Sequence, residues 1–167
     1  NLIVQANYES KQAINDREQI RTKGLDPSRD WSEKRVAQAV EAMVATMLFR
    51  DEASLKGPIK GTSSYQKEFS KRGPFDSKGR SLREFDLNTR VFKYPCSFFI
   101  YSESFEGLPK VAKEQTWKRF SEILTGKDQT PLYATMSSDD RRSVLQILLE
   151  TKPEFRDFFI KFSSTSR

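Results

Sequence analysis

The chain has 167 residues, a net charge of +6, charged side chains at 31% of positions, no histidine and one cysteine, Cys96. Without histidine there is no Ser-His-Asp or Cys-His nucleophile pair, no imidazole base and no histidine metal ligand. A lone cysteine excludes an intrachain disulfide, a zinc ribbon and a CxxC redox pair.

The elements follow in chain order. Residues 2–23 place Ile3, Ala6, Ser10, Ala13, Ile14, Arg17 and Ile20 at helical spacing, and Gly24 with Pro27 reads as the stop. A second helix is expected from Ser32, with Trp31 and Val36 as a hydrophobic staple. Val36, Ala39, Val40, Met43, Val44, Met47 and Leu48 make it the central core helix. Residues 50–93 are broken by Gly57-Pro58, Gly61, Gly73-Pro74 and Gly79. Short helices fit at 64–71, capped by Ser63 and Gln66, and after Ser81, with Glu84 as its box partner. Residues 76–79 read as a turn.

Residues 89–101 read either as two short strands around a Pro-Cys turn or as a helix with Pro95 in its first turn. The stop at Gly107 favours the helix. Pro109 opens the next helix, striped by Ala112, Lys113, Thr116, Trp117, Phe120, Ile123 and Leu124. Ser137 starts another, with Asp139 and Asp140 in its positive first turn and Val144, Leu145, Leu148 and Leu149 on its buried side. Pro153 ends it, and 154–162 form a final aromatic helix. The expected fold is all-α: one domain over 1–167, an irregular bundle of about five main helices. A Gly/Pro-rich basic excursion lies between the second and third of them.

The charge is concentrated in that excursion. Residues 56–83 hold Lys56, Lys60, Lys67, Lys71, Arg72, Lys78, Arg80 and Arg83 against only Glu68 and Asp76, whereas the flanking stretches are each within one charge of neutrality. Four of the seven glycines lie there too. Glycine-rich basic backbone can offer N–H groups to an anion beside the cationic side chains. Residues 57–61 are too short for a Walker A loop, and Lys60 precedes Gly61 instead of following a second glycine. Tyr65, Phe69 and Phe75 interleave with the basic residues, as in single-strand nucleic-acid binders. Tyr65 and Phe69, four apart, could equally pin the loop to the core. A solvated loop without a dedicated ligand is the plain alternative.

Candidates for chemistry are weak. Cys96 near a helix start could favour thiolate, but beside Pro95 and Phe98 it reads as a small buried apolar residue. Asp139/Asp140 read as capping, and Glu103/Glu106 as exposed. The Phe/Tyr band over 92–105 reads as core packing. No catalytic residue, cofactor or metal is assigned. No apolar run approaches the ~20 residues a membrane helix needs, so a soluble domain is expected. The start at Asn1 reads as a removed leader or a piece of a longer protein.

The stretch 81–109, with Gly-Pro-Ile-Lys-Gly-Thr-Ser at 57–63, Arg-Gly-Pro at 72–74 and Glu-Ile-Leu-Thr-Gly at 122–126, resembles the C-terminal region of large, uncharacterised bacterial proteins read as exported. The likeness spans roughly 1–153 and carries no activity or site residues. It implies a C-terminal helical module, exported to the periplasm or beyond. The resulting expectation is a non-enzymatic interaction or structural module that meets an acidic protein partner through 56–83, with Tyr65 and Phe75 beside the eight cations. The alternative is a nucleic-acid- or phosphate-binding domain using the same segment.

Overall fold

The computed structural model describes residues 1–24, 32–128 and 130–165. The first helix, α1 (Leu2–Lys23), starts where the Asn1 side chain accepts the Ile3 N–H at 3.1 Å and ends at Gly24, whose φ of 63° is left-handed. Ile3, Ala6, Ser10 and Ala13 are buried, and these mostly small side chains let α1 lie close on α2 (Ser32–Met47). The expected stripe stops there. Ile14 and Arg17 are exposed and Ile20 is half-buried. Trp31 and Pro27, and so the expected staple, lie outside the described residues.

Central to the core is α2, as its pattern predicts: Val36, Ala39, Val40, Met43, Val44 and Met47 are all buried, with Leu48 just after. Its C-terminus closes with Phe49 N–H to Thr46 O at 3.1 Å and Arg50 N–H to Ala45 O at 3.0 Å. That double bond pattern calls for a left-handed residue after the helix, normally glycine. Here Phe49 takes it, with φ 52°, and its ring stacks on Phe92 at 5.7 Å. The position is settled by what the ring packs against, not by backbone ease.

Between α2 and the next long helix the chain is irregular. The short helix α3 (Tyr65–Ser70) forms, but without the Ser63/Gln66 box: the Ser64 hydroxyl turns to the Glu68 carboxylate instead. No helix follows Ser81. Half of the box exists, Ser81 N–H to Glu84 Oε1 at 2.8 Å, but Ser81 Oγ accepts the Arg83 N–H at 3.2 Å instead of that of Glu84, and the bonds close a turn. The chain then folds back over 86–90. Asp86 draws the Thr89 hydroxyl and the Thr89 and Arg90 N–H groups, which hold its carboxyl well below the usual range, and Phe85 bridges Phe92 antiparallel. That return competes with helix and wins. Neither reading of 89–101 holds as stated. A 3-10 turn (Phe98–Tyr101) capped by Ser97 and a single turn α4 (Glu103–Glu106) capped by Ser102 replace the helix from Pro95, and the bridge is the sole strand-like pairing among the described residues.

Regular structure resumes as expected. Helix α5 (Lys110–Leu124) buries Ala112, Thr116, Trp117, Phe120, Ile123 and Leu124. The buried hydroxyls of Thr116 and Ser121 donate back to Ala112 O and Trp117 O at 2.7 and 2.8 Å, so neither is left unsatisfied. Ser137 caps α6 (Ser138–Thr151), accepting the Asp140 N–H at 3.0 Å. Val144, Ile147 and Leu148 form its buried side, while Leu145 and Leu149 are only partly covered. Helix α7 runs over Pro153–Thr165, longer than expected at both ends. The described residues are all-helical, with five substantial helices: α1 on α2, α2 on α5, and α5, α6 and α7 packed on one another. No helix among them is long and apolar enough to cross a membrane.

Candidate functional site

The basic excursion is irregular but well anchored. Phe69, the one buried residue of α3, lies among Phe85, Phe92 and Phe98 with ring centroids 5.4, 6.4 and 5.1 Å away. These rings form an aromatic cluster of their own beside the helical core, so Phe69 pins the loop as its spacing from Tyr65 suggested. Tyr65 stacks on the outer side of Phe69 at 5.6 Å and stays exposed. Ser70 Oγ donates to Arg83 O at 3.1 Å, and Leu55 and Ile59 donate their N–H groups to Thr89 O and Leu87 O at 3.0 and 2.8 Å. Phe69→Ala is expected to cost about 2–3 kcal/mol locally. The check is faster amide exchange across 64–93 with the α2 and α5 amides still protected.

The turn at 76–79 is where the sequence places it, with Gly79 at φ 72°. Its centre is Asp76, whose fully buried carboxylate accepts the Lys78 and Arg80 N–H groups at 3.0 and 2.8 Å and the Arg80 guanidinium at 2.7 Å. Burial alone would raise the Asp76 carboxyl; the hydrogen bonds and charge of Arg80 outweigh it and hold it low. This turn docks on α6. Glu150 accepts Ser77 N–H and Oγ–H at 2.6 and 3.0 Å, and Gln146 accepts Arg80 and Lys78 at 2.9 and 3.3 Å.

The predicted cations therefore divide into two sets. Arg80 and Lys78 are engaged inside the fold. Arg83 donates to Gly73 O at 2.9 Å and lies over Phe98 and Phe69 at 4.5 and 5.2 Å, and Arg72 reaches the Phe69 ring at 5.9 Å. Lys56, Lys60, Lys67 and Lys71 are exposed and make no ion pair among the described residues. Lys67 and Lys71 sit four apart at the end of α3, on one side of it. Ile59, Tyr65 and Phe75 are exposed in the same segment.

The chemical candidates resolve plainly. Cys96 is fully buried and burial pushes its thiol far up, which leaves no thiolate. Asp139 is exposed near Arg142, while Asp140 holds Arg90 with both oxygens, at 3.1 and 2.6 Å. Glu103 and Glu106 are both exposed, as read, although the Glu106 carboxylate pairs with Lys152, a residue only 5% exposed, and lies 3.7 Å from Lys113. Among the described residues no group of three or more acidic or sulfur ligands could hold a metal ion.

Sequence reading missed two arrangements. Lys152 ends α6 with its ammonium 5.5 Å from Phe105 and 6.0 Å from Trp117. Arg119 gathers Glu41, Glu122 and Asp128 at 2.7, 2.5 and 2.6 Å, and Tyr133 donates to Glu41 at 2.7 Å. Only Glu122, three residues away on the same helix, carried a local signal. A comparison of the chain with protein-family models, with curated proteins and with solved structures found no match.

Proposed function

We propose that this chain is a non-enzymatic helical interaction module, a subunit or C-terminal part of a larger exported assembly, that meets an acidic protein surface through residues 56–83. The observation that carries the reading is the pairing state of the cations. Lys56, Lys60, Lys67 and Lys71 lie in solvent with no ion-pair partner among the described residues, beside exposed Ile59, Tyr65 and Phe75, on backbone that Phe69 and the 76–80 turn hold in place. Unpaired surface lysines steer an acidic partner and fix its register at little desolvation cost. Exposed aromatic and aliphatic side chains supply the contact area that charge does not. A pre-anchored segment loses less entropy on binding than a floppy one. Export rests on the resemblance of 81–109 alone.

The test replaces the four free lysines with glutamate and leaves Arg80, Arg83 and Asp76 untouched, since those hold the fold. Tagged wild-type chain retrieves its partner from native extract, nuclease-treated beforehand. The quadruple variant loses that partner with an unchanged Tm. Undiminished retrieval by the variant sinks the reading. Retrieval that disappears on nuclease treatment transfers the segment to nucleic acid, and steep salt dependence would accompany it.

A further inference from the structure

A cleft of about 330 Å³ lies at the C-terminal end of α2, walled by 48–50, 52–54, 89–90, Pro95, 132–133, 135–136 and Asp140 in the first turn of α6. It shares no residue with 56–83. Its volume falls at the lower end of small-molecule sites, which span roughly 300–1,000 Å³. Two arginines line it, and both keep hydrogen-bond donors in hand. Arg90 meets Asp140 through its two terminal nitrogens and gives Lys93 O a further bond at 2.9 Å, and its Nε–H has no acceptor among the described residues.

Arg50 is held more loosely. Its Nε and one terminal nitrogen share a single oxygen of Asp51, at 3.1 and 2.5 Å, and the Asp51 side chain is 78% exposed. The other terminal nitrogen has no acceptor among the described residues. A pair this wet contributes little, so an incoming carboxylate can displace Asp51 at small cost. A carboxylate is also the group a guanidinium fork binds most readily with two parallel bonds.

The remaining wall selects the ligand's charge and body. Glu52 and Asp140 also line the cleft, so its four ionic side chains balance to zero. A monoanion adds one negative charge beside Arg50, whereas a dianion such as phosphate would add a second facing two carboxylates. Pro95, Leu132 and Met136 add apolar surface to the lining. We propose that this cleft binds a small organic monocarboxylate, its carboxylate on Arg50 and its apolar body against Pro95, Leu132 and Met136.

Benzoate is the probe, titrated into the intact chain by ligand-observed NMR, with acetate and inorganic phosphate as comparators. Saturable benzoate binding is expected, tighter than acetate because the ring adds buried apolar area. Arg50→Gln weakens it about tenfold or more, the worth of a charged hydrogen-bond pair. Asp51→Asn, at an exposed position, strengthens it by removing the competitor for Arg50. Unchanged Tm in both variants separates binding from folding. The proposal is overturned if benzoate does not saturate below roughly 10 mM, if Arg50→Gln binds as wild type does, or if phosphate outcompetes benzoate.

Discussion

Trp117→Ala is expected to cost about 3–5 kcal/mol of folding free energy, a large share of the roughly 5–15 kcal/mol that holds a domain together. Trp117 is 2% exposed and packs against Phe105, Phe120 and Phe155 with ring centroids 5.2, 6.2 and 5.4 Å away. It thereby joins α4, α5 and α7, so its loss opens a cavity that no single helix can close. It also shields the Lys152 ammonium, which removal would leave beside an empty space. Thermal melting is the measurement, with a fall in Tm on the order of 10 °C. Trp117→Phe separates volume from polarity. The indole N–H is buried without an acceptor among the described residues, so phenylalanine loses atoms but also removes an unsatisfied donor. A cost below about 2 kcal/mol is expected for it. Equal costs for the two variants would refute the packing account.

The second large effect is Arg119→Met. One guanidinium holds Glu41 from α2, Glu122 from its own helix and Asp128 from the loop beyond. Methionine keeps much of the stem's packing and leaves three carboxylates facing one another. Breaking a buried pair costs about 3–5 kcal/mol; with Arg119 and Glu41 partly solvated, about 2–3 kcal/mol is expected.

The same variant changes the acid profile, with a definite sign. Burial by itself would raise the Asp128 carboxyl, but hydrogen bonds from Thr130 and Arg119 outweigh it and bring it to about 2. For Glu41 burial again pushes upward, and the Arg119 and Tyr133 hydrogen bonds win, so it too is held below its ordinary value. A carboxyl depressed on folding contributes stability above its unfolded value, about 4, and loses that contribution as pH falls through the folded value. Wild type therefore weakens between about pH 5 and about pH 2. Arg119→Met should be less stable at pH 7 and show a shallower decline across that window. Denaturant melts at several pH values read both; parallel declines would show that Arg119 does not set these carboxyls.

Helix existence was legible because caps and periodicity act within a few residues. Gly24, Pro109, Ser137 and Pro153 mark ends that fall where expected, each through a conformation or a bond made with its own neighbours. Local signals misled where two of them competed. Ser81 N–H bonds the Glu84 carboxylate on a turn, since the chain must return for Phe85 to meet Phe92. Ser97 and Ser102 each cap a short turn and so divide the single helix expected from Pro95.

The excursion shows the same division. That eight cations crowd into 56–83 is a property of composition. Which of them are spent is a property of distance: Gln146, which takes Arg80 and Lys78, lies 66 and 68 residues away from them in the chain. Asp76, four residues before Arg80, is the one local feature that distinguishes it from Lys60.

By itself the sequence determined the helical class, most helix ends, the absence of histidine chemistry and the segment where positive charge accumulates. Each of these depends on residue identity or on neighbours a turn or two away. The tertiary structure alone decided that Phe69 anchors the excursion, that four of its lysines have no ion pair among the described residues and that Arg119 reaches Glu41 from 78 residues away. Burial and pairing are outcomes of where distant segments pack, and the energies that settle them exist only once the chain has closed on itself.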